Sequence, residues 1–222
     1  MPMNLAALQE LIEKAETDLL PSLVLKSIAP EDPVEINNQP EGWVLLGKGN
    51  FAAVFTHPDF DSFAIKVYAK GRPGLRDEIA VYRKLGSHPA YSECYHAGIS
   101  YLILKRLQGV TLYDCLKRGI RIPRQVIIDV DQALSHAIQQ GLNPRDVHGK
   151  NVMVAEGRGC IVDVSAFLYP GHDPMWDDLK KAYHRFYWPF LILPPPPVPG
   201  FILNWARKSY RRIKSSDLTK QK

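Results

Sequence analysis

The stretch PRDVHGKN, residues 144–151, decides the fold together with IVDVS, residues 161–165. It places Asp146 five positions before Asn151, and Asp163 follows after a further apolar run. Carboxylate and amide oxygens are ligands that Mg²⁺ accepts, and a carboxylate can also orient a hydroxyl group and take its proton. The spacing therefore predicts Asp146 as a catalytic carboxylate, with Asn151 and Asp163 as metal ligands.

A loop with two glycines lies well upstream, in LGKGNFAAVF, residues 46–55. Glycines one residue apart allow a strand-turn-strand backbone to lie close over phosphates, where a Cβ atom would clash. We therefore expect this loop to cover a nucleotide. The residues expected to contribute are Gly47, Lys48, Gly49, Ala52 and Val54.

A candidate strand, FAIK at residues 63–66, ends in a lysine. Lys66 can reach the α- and β-phosphates of a nucleotide as a point charge. Glu78 follows on a segment with helical spacing, where an acid can fix the lysine through an ion pair. Both residues are therefore candidate catalytic groups.

These elements, in this order, resemble the protein-kinase-like superfamily over roughly residues 43–185. The resemblance implies an α+β fold of two lobes, with a small antiparallel-sheet N-lobe and a truncated helical C-lobe. It also implies ATP and Mg²⁺ as cofactors and phosphate transfer to a hydroxyl group. Leu104 would then lie at the back of the adenine pocket, just before the hinge.

Two departures from the usual kinase pattern narrow the resemblance. His148, two positions after Asp146, resembles aminoglycoside, choline and lipopolysaccharide-sugar kinases. It would organise Asp146 or contact phosphate, or it would hold the loop by a hydrogen bond. The triplet Asp163-Val164-Ser165 looks more like that of the RIO-type atypical kinases.

A regular activation segment is absent, because only about a dozen residues separate Asp163 from WDDL at residues 176–179. We expect no switching by phosphorylation of such a segment. Asp178, or Asp177, resembles the buried aspartate that accepts hydrogen bonds from the catalytic-loop backbone. The chain is therefore expected to be a minimal atypical kinase.

Four parts are expected along the 222 residues. Residues 1–41 would form an N-terminal helix, packed on the small lobe, and an extended connection. Residues 42–104 would form the N-lobe and residues 105–185 the reduced C-lobe, which includes a helix at about 123–140 with Ile138 on its apolar face. Residues 186–222 form a Pro-rich, apolar and basic segment.

Composition restricts the compartment and the partners. The three cysteines are far apart, which argues against a disulfide framework or a zinc knuckle and indicates a reducing compartment. No basic region precedes an apolar run at the N-terminus, so we expect no secretory signal and a cytoplasmic location. The segment from residue 186 would pack under the large lobe or contact a membrane surface through its aromatic and basic residues. Nucleic acid is not expected as a partner.

Three functions fit these residues. The first is an ATP-dependent serine/threonine protein kinase. The second keeps the fold and transfers phosphate to a small molecule or a lipid-linked sugar. The third is a RIO-like ATPase or nucleotide-binding regulator. The sequence does not name the acceptor.

Overall fold

A computed structural model gives the structure of the protein and describes residues 4–29, 32–171, 173–188, 195–205 and 209. Its helices are α1 (Leu5–Lys14), α2 (Leu75–Leu85), α3 (Leu112–Arg118), α4 (Arg124–Gln139) and α5 (Met175–Ala182). Further turns are Ala15–Leu19 (π-helical), Leu20–Ser22, Pro58–Phe60 (3-10) and Tyr183–Tyr187 (π-helical). Residues 200–205 are also helical.

In the described part of the chain, ten strands form three antiparallel sheets. The strands are β1 (Val24–Lys26), β2 (Glu35–Asn37), β3 (Val44–Lys48), β4 (Ala52–Thr56), β5 (Phe63–Tyr68), β6 (Cys94–Ala97), β7 (Tyr101–Lys105), β8 (Val110–Thr111), β9 (Val152–Ala155) and β10 (Arg158–Ile161). The sheets have the orders β1-β2, β3-β4-β5-β7-β6 and β10-β9-β8.

The five-stranded sheet has two faces with different tasks. Val54 on β4 and Leu102 on β7 lie directly opposite Lys66 on β5, so the three side chains share one face, which borders the cleft between the lobes. The other face carries residues such as Phe55 and Ile103, which are fully buried. Lys66 therefore reaches the cleft because the alternation of β5 directs it there.

Helix α1 and its π-helical turn cover that other face. The side chain of Asn4 caps the helix by accepting a hydrogen bond from the Ala7 amide. Residues at helical spacing then pack with the sheet, and those that are buried are Leu8, Leu11, Ala15 and Leu19. Two hydrogen bonds fix the register, because Trp43 Nε1 donates to Asp18 and Tyr101 donates to Glu16. The N-terminal helix thus packs on the small lobe as expected.

Helix α4 is the centre of the C-lobe core. Val126, Val130 and Ala133 are fully buried along its length. Gly159 on β10 lies so close to α4 that an added Cβ would be 2.5 Å from the Val126 carbonyl oxygen. The prediction for Ile138 was wrong: the residue is 62% exposed, because it lies on the same side of the helix as the exposed Ser135, whereas its neighbour Ala137 is fully buried.

The two-lobed α+β architecture is confirmed, with one correction. Residues 21–41 are not simply an extended connection, because β1 and β2 pair within them. Pro33 lies in the loop between the two strands and leaves the pairing intact. The division of the chain after residues 41, 104 and 185 stays a prediction.

The C-terminal segment contacts the C-lobe where the structure describes it. The Ile122 amide donates to the Tyr187 hydroxyl oxygen at 2.9 Å, and the Val198 amide donates to the Leu116 carbonyl at 2.9 Å. Residues 189–194 and most of the basic run after 205 lie outside the described residues. Within the described residues, no helix is long and apolar enough to cross a bilayer.

Candidate active site

Lys66 and Glu78 form a buried ion pair between the sheet and α2. The Lys66 ammonium lies 2.7 and 2.9 Å from the two carboxylate oxygens of Glu78, which is 0% exposed. Helix α2 begins after Gly74, whose left-handed backbone starts the helix, and Gly86 ends it. The lysine and the glutamate that the sequence spacing paired are therefore in direct contact.

The same ammonium joins the two lobes. Lys66 Nζ lies 3.2 Å from Asp163 Oδ1, although the residues are 97 positions apart. Burial alone would lower the pKa of Lys66, but the carboxylates of Asp163 and Glu78 outweigh it and raise the pKa above its ordinary value. Lys66 is therefore a fixed positive charge at neutral pH.

The pKa values of the two carboxyl groups in this cluster, Glu78 and Asp163, are shifted in opposite directions. Burial raises the pKa of Glu78, and the Lys66 ammonium opposes that effect. The Tyr68 hydroxyl also donates a hydrogen bond to Glu78. Burial would likewise raise the pKa of Asp163, but Lys66 and the Ser165 amide outweigh it and hold that pKa below its ordinary value.

The glycine loop lies at the β3–β4 turn. The Gly49 amide donates to the Ala52 carbonyl at 2.9 Å, which closes the turn. A Cβ atom added to Gly47 or Gly49 would meet no protein atom within 4 Å, so the space beside this backbone is open. Lys48 ends β3 and is exposed.

The other expected nucleotide contacts share the cleft face of the sheet. Ala52 lies opposite Tyr68, and Val54 lies opposite Lys66. Leu104 lies opposite Ala64, two residues before Lys66, and is 5% exposed. The structure therefore brings these apolar side chains to one surface above the catalytic groups.

The β9–β10 hairpin places both candidate metal ligands at one edge. Asn151 immediately precedes β9, and Asp163 follows β10 by two residues. The Val162 amide donates to the Asn151 carbonyl at 2.9 Å, which ties the two ends together. Asn151 Nδ2 donates to the Asp146 carbonyl at 2.9 Å and lies 3.5 Å from its Oδ2.

Asp146 has an unusual backbone, with φ at +57°. Its amide donates to Asp173 Oδ2 at 2.7 Å, and Asp173 Oδ1 accepts from the Met175 amide at 2.9 Å. The sequence pattern did not indicate Asp173 and suggested Asp178 or Asp177 of α5 for such a contact. Those two carboxylates pair with lysines of their own helix, Asp177 at 3.7 Å and Asp178 at 3.5 Å.

His148 is held by the loop and faces Asp146. Its Nδ1 accepts a hydrogen bond from the Lys150 amide at 3.2 Å, which leaves Nε2 to carry the proton. That Nε2 lies 3.7 Å from Asp146 Oδ1, a distance for charge interaction rather than a hydrogen bond. The loop-holding interpretation of His148 therefore matches this hydrogen bond, and its role in organising Asp146 or contacting phosphate stays a prediction.

The shortened segment after Asp163 is tied to the catalytic loop by its backbone. Arg145 donates to the Pro170 carbonyl, and Asn143 Nδ2 donates to the carbonyls of Tyr169 and Gly171 at 2.6 and 2.7 Å. Phe167 is fully buried and anchors the segment. The arginine thus has a backbone partner where a longer segment would offer a phosphate.

The cluster has the donors for a shared metal site. Within the described residues, no three His, Cys, Asp or Glu side chains are grouped as a complete metal site. Asp163 Oδ1 contacts the Lys66 ammonium and accepts from the Ser165 amide, and the Ser165 side chain also hydrogen-bonds this carboxylate. One carboxylate and one amide match Mg²⁺, which proteins hold by few side chains together with substrate phosphates.

Known proteins resemble this chain along much of its length. It is 34% identical over 181 residues to the Bacillus subtilis (strain 168) protein named "Putative serine/threonine-protein kinase YrzF", covering 80% of this chain and 83% of that protein. It is 31% identical over 126 residues to the Homo sapiens protein named "Serine/threonine-protein kinase DCLK3", covering 50% of this chain and 19% of that protein. No family model matches the chain.

The first match covers most of both chains, and its kinase name agrees with the two-lobed fold. The narrower likeness to RIO-type and lipopolysaccharide-sugar kinases stays a prediction. The chain belongs to the protein-kinase-like superfamily, whose members transfer phosphate from ATP to an alcohol group.

Proposed function

We propose that this protein is a Mg²⁺-dependent serine/threonine protein kinase that acts with a shortened activation segment. The observation that supports it most is the position of Lys66, whose ammonium contacts Glu78 in one lobe and Asp163 at the edge of the other. A buried cation held between two carboxylates is pre-organised for phosphate groups, because it needs no rearrangement on binding. The kinase names of both relatives support the same class of reaction.

The residues present fit ATP and Mg²⁺. The open space beside Gly47 and Gly49 allows backbone amides to approach phosphates without a clash. The Asp163 carboxylate and the side-chain oxygen of Asn151 would hold the metal ion. Mg²⁺, when bound, neutralises the negative charge of the phosphates.

Each catalytic side chain has a separate task in this proposal. Asp146, with a half-exposed carboxylate, orients the acceptor hydroxyl and takes its proton. His148 presents its Nε2 to that carboxylate and steadies its charge. Lys66 holds the α- and β-phosphates, while Glu78 keeps the lysine in place. Leu104 and Val54 would pack against the base.

The acceptor is proposed to be a serine or threonine of a protein. The names of both relatives support that acceptor over a sugar or another small molecule. We also propose a cytoplasmic location, which three free cysteines, Cys94, Cys115 and Cys160, support because oxidising compartments favour disulfides.

Asp146→Asn tests the assignment. Labelled ATP would be supplied with a generic protein substrate, with sugars, and with no acceptor. We expect transfer to protein in the wild type and a loss of at least a hundredfold in Asp146→Asn, with ATP binding unchanged. Equal turnover in the variant would contradict the role of Asp146, and labelling of sugars alone would identify the other acceptor class.

Contact with a membrane surface is a second proposal. Phe201 and Trp205 are 74% and 70% exposed on the helical segment 200–205, and a basic run begins at Arg207. Exposed aromatic side chains beside cations suit an interface with anionic lipid. The double substitution Phe201→Ser with Trp205→Ser should then reduce the fraction of protein that sediments with anionic vesicles. An unchanged fraction would show that these two side chains do not contribute to membrane binding.

A further inference from the structure

Lys150 occupies a defined position in the catalytic loop, one residue before Asn151. Its ammonium lies 4.7 Å from the ring centroid of Tyr113 on α3. The Tyr113 amide donates to the Gly149 carbonyl at 2.7 Å, so the ring is fixed to the same loop by its own backbone. The loop and α3 therefore hold the Lys150 ammonium in place through a cation–π contact.

The charge of Lys150 is not neutralised by an ion pair within the described residues. The side chain is exposed, and the ring face leaves its N–H groups available to an anion. Lys117 lies one helical turn after Tyr113 on the same face of α3, and it is also exposed and without an ion-pair partner in the described part of the chain. Two cations thus flank Tyr113.

The negative charges around Asp146 make the positive charge of Lys150 relevant to the choice of peptide substrate. The carboxylates of Asp146 and Asp173 lie in this loop region, so the acceptor side would repel an acidic peptide. Lys150 lies four positions after Asp146, which limits the distance between their Cα atoms to about 14 Å. A peptide whose hydroxyl lies at Asp146 therefore brings residues up to about four positions away within reach of the ammonium.

We propose that Lys150, positioned by Tyr113, is a specificity-determining residue that selects protein acceptors with an acidic side chain near the serine or threonine. The inference rests on the proposed function, because it assigns the substrate class of the same site. The selected group is a carboxylate, or a phosphate already present on the substrate, within about four residues of the hydroxyl.

Paired peptides test the proposal directly. Each pair would share one serine and differ by Asp against Asn at a single flanking position. We expect the wild-type kcat/KM to favour the Asp peptide by about fivefold at the best position, and Lys150→Glu to remove or reverse that preference. Lys150→Arg should retain it, Tyr113→Phe should retain it, and Tyr113→Leu should weaken it because the ring is lost.

A matched control carries the same change of charge elsewhere. Arg124 begins α4, and about 22 Å of helix separates it from the end that leads to the catalytic loop. Arg124→Glu should leave the Asp-to-Asn ratio unchanged. A KM for ATP that rises equally with every peptide in Lys150→Glu would instead identify Lys150 as a nucleotide contact and overturn the proposal.

The outcomes distinguish a failure of this inference from a failure of the proposed function. If no serine or threonine peptide is phosphorylated while another acceptor is, the proposed function fails and this inference fails with it. If peptides are phosphorylated but Lys150→Glu leaves the ratio unchanged, or Arg124→Glu alters it as much, the inference alone is wrong.

Discussion

The carboxylate of Asp173 accepts a hydrogen bond from the backbone amide of Asp146 at 2.7 Å. The same carboxylate accepts from the Met175 amide in the first turn of α5. Asp146 has a left-handed backbone, which is unfavourable for most residues and needs support from its surroundings. Asp173 therefore fixes the backbone of the proposed catalytic carboxylate against a helix.

Asp173→Asn should reduce turnover without affecting nucleotide binding. Asparagine has one acceptor oxygen, so it cannot accept both backbone bonds that the two carboxylate oxygens accept. We expect kcat to fall by about tenfold or more because the catalytic group is less well positioned. The Kd for ATP should change by less than about twofold, since Lys66 lies in the other lobe.

Asp177→Asn is the matched control, because it removes the same charge from the same region. Asp177 is 53% exposed and contacts Lys180 at 3.7 Å. Its kcat should remain at the wild-type value. Equal losses in both variants would mean that negative charge near α5 matters, rather than the bond from Asp173 to Asp146.

Lys66→Met should destabilise the fold as well as abolish transfer. The substitution leaves Glu78 fully buried without its cation, although Tyr68 still donates to it. Breaking a buried ion pair on one side destabilises by about 3 kcal/mol. Urea unfolding should show this loss, and the loss should shrink at lower pH because burial raises the pKa of Glu78.

The double substitution Lys66→Met with Glu78→Gln separates stability from catalysis. Removing the buried charge should restore most of the free energy of unfolding, while phosphate transfer stays absent. A double variant as unstable as Lys66→Met would show that lost packing of the lysine side chain, and not the charge of Glu78, causes the instability.

Local patterns in the sequence predicted the parts of the site that lie on regular elements. Strand β5 and helix α2 follow clear periodicities, so the pairing of Lys66 with Glu78 could be expected from spacing alone. Strand β6 was missed because its residues, Cys94–Ala97, are half-buried or exposed and show no apolar alternation. It forms because it pairs with the edge of β7, and the sequence of residues 94–97 alone does not indicate that partner.

Asp173 and Asp129 could not be found by pattern for a related reason. Asp173 lies before the start of α5, whereas the acidic residues that the sequence pattern indicated, Asp177 and Asp178, lie within that helix. Asp129 lies on α4, where a polar residue among apolar ones indicates a solvent-facing position, yet it is 5% exposed. Its partners, Arg158 and Gly159, lie about thirty positions away on the hairpin, so only the tertiary fold reveals them.

Asp129 should make stability depend on pH in the acid range. Hydrogen bonds from Arg158 lower its pKa to about 2, against an ordinary value of 3.8, although burial opposes this effect. A carboxyl whose pKa is lower in the folded state stabilises that state above its unfolded pKa. This contribution is therefore complete above about pH 4 and is lost as the pH falls towards 2.

Asp129→Asn provides the measurement. At pH 7 it should lower the free energy of unfolding by about 2 kcal/mol, because charge-assisted bonds to Arg158 and the Gly159 amide are weakened. The difference from the wild type should narrow between pH 4 and pH 2. Glu41→Gln, which removes an exposed charge, should show no such narrowing, and a constant difference for Asp129→Asn would refute the linkage.

Gly119→Ala should loosen the C-terminal segment from the large lobe. Gly119 ends α3 with φ at +67°, and an added Cβ would be 2.6 Å from the Pro195 carbonyl oxygen. Gly141 also has a left-handed backbone, at φ +71°, but a Cβ there would meet no protein atom within 4 Å, so Gly141→Ala is the control.

Both Gly119→Ala and Gly141→Ala should lower the free energy of unfolding by about 1 kcal/mol through backbone strain. Gly119→Ala should lose about 1–2 kcal/mol more and expose the segment around Val198 to protease, because the clash displaces it. Equal stability and equal cleavage in the two variants would show that the segment does not pack against α3.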